Sequence, residues 1–149
     1  MYKLERFIKA QNESPYENYE RALSEMRAGK KQSHWIWYIF PQLKDLGRSD
    51  KAKYYGIENL DEAKEYLAHP VLSKRLIEIS EAILKLSKNN PVSLMNGQTD
   101  ATKLKSCMTL FAYASGDKDS VFCRVLEKFF DGQIDEKTMS IIEHEEHED

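Results

Sequence analysis

The side chains best suited to chemistry gather between Lys30 and Gln42, in the run Lys-Lys-Gln-Ser-His-Trp-Ile-Trp-Tyr-Ile-Phe-Pro-Gln. It holds both tryptophans and one of the four histidines of the chain. Trp37 could stack on a base or another planar ring, with Lys31 nearby to neutralise a phosphate. His34 could orient a ligand or move a proton, because imidazole titrates near neutrality. Gln42 completes a polar frame around the aromatic residues. The competing reading is structural. If the run is helical, Trp35, Ile36, Ile39 and Phe40 share one face and form core, while Trp37 and His34 point elsewhere. Once buried, the indole and the imidazole need hydrogen-bond partners whichever reading holds.

Three further groups could join such a site. Gly47-Arg48-Ser49-Asp50 could cradle an anion, with a close backbone approach at the glycine and a fork of donors on Arg48. The same residues also read as a turn and a helix cap. His69 precedes Pro70; its neutral imidazole would cap backbone donors, or serve as a general base. Lys103 and Ser106 lie three residues apart and share a helix face. A Ser–Lys nucleophile pair needs those two residue types, but this spacing is commonplace on exposed helices. His144 and His147 sit in an acidic tail that could hold a divalent cation but reads more simply as solvated chain. There is no cysteine cluster, His-Glu-x-x-His or phosphate-binding glycine loop. Neither a metal nor a cofactor is expected.

The elements that must position these residues follow a helical period almost throughout. Leu4, Phe7, Ile8 and Gln11 suggest a first helix. Ser14 with Pro15 suggests the start of a second, which Gly29 ends. The segment 33–40 is either a helix stopped before Pro41 or an extended strand, since its residues suit both. Ser49 opens a short helix, Asn59 caps another, and Leu72, Leu76, Ile79, Ile83 and Leu86 mark the clearest amphipathic one. Asn89-Asn90-Pro91 is a break. Asp100 would cap a helix buried along Leu104, Cys107, Met108, Phe111 and Ala112. Val121 to Phe130 forms the next, and a last helix runs from Asp135 to about Ile142. The expected architecture is all-α, a compact single-domain bundle of about seven to nine short helices over residues 3–142, with 143–149 an acidic flexible tail.

The chain of 149 residues suits one core, and its 41% hydrophobic and 32% charged composition is ordinary for a globular protein. No apolar run is long enough to span a bilayer, and no signal peptide opens the chain. Cys107 and Cys123 lie in apolar helical patterns, so reduced thiols and a cytoplasmic location are expected. The net charge of −3 is uneven. Residues 27–53 carry seven basic side chains against Asp45 and Asp50, whereas 131–149 carry eight acids and only Lys137. A basic lobe favours an anionic small molecule as partner; the acidic whole makes nucleic acid a poor one.

Four motifs in order, Lys31 to Gln42, Leu46-Gly47-Arg48-Ser49, His69-Pro70-Val71-Leu72 and Lys103 to Phe111, resemble the bacterial family known as domain of unknown function 1810. The likeness runs from about Leu4 to Ile142. It implies a mainly helical domain and brings no established activity; the calpastatin label sometimes attached to such chains does not suit one with this much core. The resulting expectation is an anionic, nucleotide-like ligand held by Lys31, His34, Trp37, Gln42, Arg48, Lys103 and Ser106. His34 or His69 would act if the ligand is hydrolysed. Whether the protein is an enzyme stays open, as does the alternative of a non-catalytic protein–protein interaction module. Its oligomeric state is not legible.

Overall fold

The computed structural model describes residues 2–147, with His147 described in its backbone only. Ten α-helices and one 3₁₀ turn occupy these residues, and none of them forms a strand. The all-α single domain agrees with the helical periodicity. The helix count exceeds the expected range by one, because Pro91–Met95 forms a short helix where the sequence marks a break. Asn90 caps it by accepting from the N–H groups of Val92 and Ser93.

Helix α1 spans Glu5–Glu13 and α2 spans Tyr19–Ala28. Asn18, rather than Ser14, caps α2, accepting from Arg21 N at 2.9 Å. Tyr16 sits at φ +62°, a left-handed conformation that interrupts any helix begun at Pro15. Gly29 ends α2 at φ +86°. The aromatic run is helical: α3, Ile36–Ile39, is a single turn. Trp35, Ile36, Ile39 and Phe40 are all buried, as the shared-face argument requires. Trp37, on the other face, is half-buried.

A 3₁₀ turn at Lys44–Leu46 leads to α4, Asp50–Tyr54, capped by the Ser49 hydroxyl. Leu43 and Ile57 form an isolated parallel bridge across this loop. Two glycines allow the closure. A Cβ on Gly56 would lie 2.4 Å from Lys44 Cα and 2.8 Å from Ala52 O; one on Gly47 would lie 2.6 Å from Ala52 Cβ. The close approach at Gly47 is therefore to the chain's own Ala52. Gly56→Ala is expected to destabilise the fold by about 2 kcal/mol, because backbone atoms of Lys44 and Ala52 have to shift. Urea unfolding checks this, and an unchanged midpoint would refute the clash.

Asn59 caps α5, Leu60–Ala68, and His69 caps α6, Pro70–Leu84. After α7 (Pro91–Met95) comes α8, Gln98–Ser115, which starts at Gly97. Asp100 thus lies inside the first turn instead of capping it, a position that suits its charge. Helix α9, Val121–Phe130, begins at Ser120, and α10 spans Glu136–His147. The long α8 packs against α5, α7, α9 and α10. It is consequently buried on several sides, and its Thr109 hydroxyl returns to the Lys105 carbonyl at 2.8 Å. Edge-to-face and tilted rings run through the core from Phe7 to Tyr66, Phe111 and Phe122 at centroid distances of 5.2, 5.1 and 6.0 Å.

Three polar hubs tie helices together. The Glu25 carboxylate accepts from Gln32 N, Ser33 N and Trp35 Nε1 on one oxygen and from Ser33 Oγ and Arg21 Nε on the other. Arg6 donates to both oxygens of the buried Glu62 and to the carbonyls of Lys3, Tyr54 and Gly56. Lys128 of α9 donates to the Ile83, Leu84 and Leu86 carbonyls at the end of α6.

The boundary expected at Ile142 falls within α10, which continues through His147. Leu60 N donates to Glu145, and the Tyr113 hydroxyl donates to Glu146 at 2.6 Å. Met1, Glu148, Asp149 and the His147 side chain lie outside the described residues, so the tail's acidic end and its second histidine do too. No group of three His, Cys, Asp or Glu among the described residues could hold a metal ion. No helix there is long and apolar enough to cross a membrane.

Candidate functional site

Trp37 is the one tryptophan that reaches the surface. The single turn of α3 turns it away from Trp35, whose Nε1 is held by Glu25 at 2.9 Å. Its own Nε1 is buried without a hydrogen-bond partner. Two ammonium groups lie over its ring, Lys51 Nζ from α4 at 4.8 Å from the centroid and Lys103 Nζ from α8 at 5.6 Å. Such cation–π placements hold a lysine near an indole without neutralising its charge. Behind them Asp100 pairs with Lys31 at 2.9 Å and, more loosely, with Lys103 at 3.9 Å.

Beside the ring lies a cavity of about 10 Å³, lined among others by Trp37, Phe40, Gln42, Tyr55 and Lys103. This is the lower limit for one water molecule and excludes any ring. Nothing larger than a water molecule fits inside it.

Of the residues expected at the site, Trp37, Gln42 and Lys103 meet at this cavity. Lys31 joins them only through Asp100; it is 5% exposed, and its ammonium also donates to Ser33 O at 2.6 Å. Its charge is thus committed internally. Arg48 is exposed on the loop before α4 and has no ion pair among the described residues. His34 is exposed, tethered by its backbone N–H to Glu17 at 2.6 Å. Ser106 is buried, its hydroxyl donating to Thr102 O at 3.0 Å, the back-bonding that satisfies a hydroxyl within a helix. His69 Nδ1 accepts from Val71 N and Leu72 N at 3.2 and 3.3 Å. None of His34, Arg48, Ser106 and His69 lines the cavity.

Sequence reasoning missed Lys51 and Asp100 as members of this cluster. The Asp100/Lys103 spacing of three residues signals a pairing, but nothing local points Lys51 at Trp37. Cys107 is fully buried, and burial pushes its thiol well above the usual cysteine range. Both cysteines are free.

The chain is similar to a solved structure, that of the conserved hypothetical protein Rv1873 from Mycobacterium tuberculosis. The two are 38% identical, with a TM-score of 0.86 over 94% of this chain and 96% of that one. No curated protein matches it. The model of the family described as protein of unknown function (DUF1810) matches residues 1–142, and the chain belongs to that family.

Proposed function

We propose that the protein is a cytoplasmic binder of an anionic, phosphate-bearing small molecule of nucleotide type, held on the exposed side of Trp37 by Lys51 and Lys103. The observation that supports this is the convergence of two ammonium groups on one half-buried indole, with no carboxylate paired to Lys51 among the described residues. An oxyanion bridging the two lysines gains charge-assisted hydrogen bonds from both. Trp37 serves as the platform for the lysines and as the apolar wall for a base. His34 and His69 have no place at the cavity, and the buried Ser106 is committed to its own helix. The committed Ser106 hydroxyl leaves no Ser–Lys nucleophile pair, and the site is read as a binding site. The two free cysteines suit a reducing compartment.

Tryptophan fluorescence tests the proposal, because Trp35 is fully buried and the half-buried Trp37 is the accessible reporter. AMP and inorganic phosphate are expected to change the emission saturably, adenosine much less, and added salt to weaken both. Trp37→Phe should abolish the response while the protein stays folded. Lys51→Ala and Lys103→Ala should each weaken phosphate binding about tenfold, the worth of one charge-assisted hydrogen bond. Silence toward all three probes, or the same response in Trp37→Phe, would refute the site and leave the interaction-module alternative.

A further inference from the structure

A separate cleft of about 680 Å³ opens between α1, the start of α2 and the first half of α6. Its size is that of a metabolite-binding cleft, and it shares no lining residue with the cavity beside Trp37. At its inner end is Gln11, 2% exposed. The Gln11 amide donates to Tyr38 O at 2.8 Å and to the Tyr66 hydroxyl at 3.4 Å, and its carbonyl accepts from Arg75 Nη1 at 3.1 Å. Three partners fix this amide. It in turn fixes the Arg75 guanidinium, which lies 5.2 Å from the centroid of the Tyr19 ring.

The acid nearest to Arg75 in sequence on its own helix is already engaged. Glu78, one turn along α6, accepts from the Tyr19 hydroxyl at 2.5 Å. Burial, and then this carboxylate, push the Tyr19 phenol well above its ordinary range, so it remains a donor to Glu78. Arg75 forms no ion pair among the described residues. A half-buried guanidinium is thus held at the wall of a cleft with one N–H committed to Gln11 and the rest of its fork unclaimed among the described residues. A partly buried guanidinium in that state keeps a fork of donors to offer an anion.

We propose that this cleft binds a small organic acid, whose single carboxylate is taken bidentately by the Arg75 fork. The local charges argue for a monoanion over a phosphate dianion. Lys74 and Arg75 line the cleft, but so do Glu20 and Glu78, and these two would repel a second negative charge. A planar carboxylate also matches the guanidinium geometry.

The test uses the ¹⁵N-labelled full chain with benzoate and inorganic phosphate as probes, following the Arg75 Nε–Hε and Gln11 side-chain amide signals. Benzoate is expected to shift both saturably, and phosphate to leave them in place. Arg75→Lys keeps the charge and loses the fork, so it should weaken benzoate binding at least tenfold with a well-dispersed spectrum. Trp37→Phe should leave benzoate binding intact, which separates this cleft from the phosphate site. Absence of saturation in the wild type overturns the proposal, as does phosphate shifting the same signals as strongly. Arg75→Lys binding benzoate like the wild type overturns it too.

Discussion

Replacing Glu25 by alanine is expected to destabilise the protein by about 3–5 kcal/mol, because five donors lose one shared acceptor. Its five donors include the Trp35 indole N–H and the backbone amides that shape the approach to α3. All lose their acceptor at once, and the Trp35 N–H does so in a buried place. Glu25→Gln keeps the shape but turns an amide N–H₂ toward one set of donors, and about 2 kcal/mol is expected. The pH dependence separates charge from shape. Burial alone would raise the Glu25 carboxyl. The hydrogen bonds from the Ser33 hydroxyl, Gln32 N–H, Arg21 and Ser33 N–H outweigh burial and hold it at about 2, against an ordinary 4.5. A carboxyl lowered by folding contributes stability that is present above its ordinary value and lost as pH falls toward the folded one. That contribution is about 2 kcal/mol, discounted because the Arg21 arm is 53% exposed and screened by solvent. The stability gap between wild type and Glu25→Gln should therefore narrow from pH about 7 to about 2.5 in urea unfolding. A constant gap would mean that shape, not charge, is what Glu25 supplies.

Arg6→Ala is the second large effect expected, about 3–5 kcal/mol, because it strands the Glu62 carboxylate, which is 1% exposed. The Arg6–Glu62 pair is bidentate, at 2.9 and 3.2 Å, and Glu62 also accepts from Glu58 N at 2.6 Å. Arg6 meanwhile holds the Tyr54 and Gly56 carbonyls, tying α1 to the loop closed by the Leu43–Ile57 bridge. The double variant Arg6→Met/Glu62→Leu should be markedly more stable than Arg6→Ala, since it buries no unpaired charge. Equal stability of the two would show that the carbonyl contacts, not the ion pair, dominate.

Neither hub stands out in the sequence, whereas most of the helices do. Periodicity and caps are local, so Ser49, Asn59 and His69 announce their helices in a few adjacent residues. Ser14 misleads because the chain turns left-handed at Tyr16, two residues on, and Asn18 takes over as the cap. Arg6 and Glu62 lie 56 residues apart, and no local pattern links them. The basic lobe shows the same limit. Its seven cations are counted correctly, yet Lys31 is spent on Asp100 and Lys44 leans toward Glu58 at 3.7 Å. Charge counts sum residues regardless of partners, and partners are a property of the fold. Trp37 was legible as the ring set apart from the core by helical phase, but Lys51, which approaches it from another helix, was not.

The lysine at the end of α6 carries a different kind of consequence. The last turn of a helix ordinarily frays first, because its carbonyls have no following N–H groups to hold them. In α6 following N–H groups meet the Glu81, Ala82 and Ile83 oxygens, and Lys128 from another helix meets Leu84 O, with Ile83 O and, just past the helix, Leu86 O. Unravelling there requires α9 to lift away, and α9 lifting away uncaps α6. For this seam, fraying and undocking are one cooperative event.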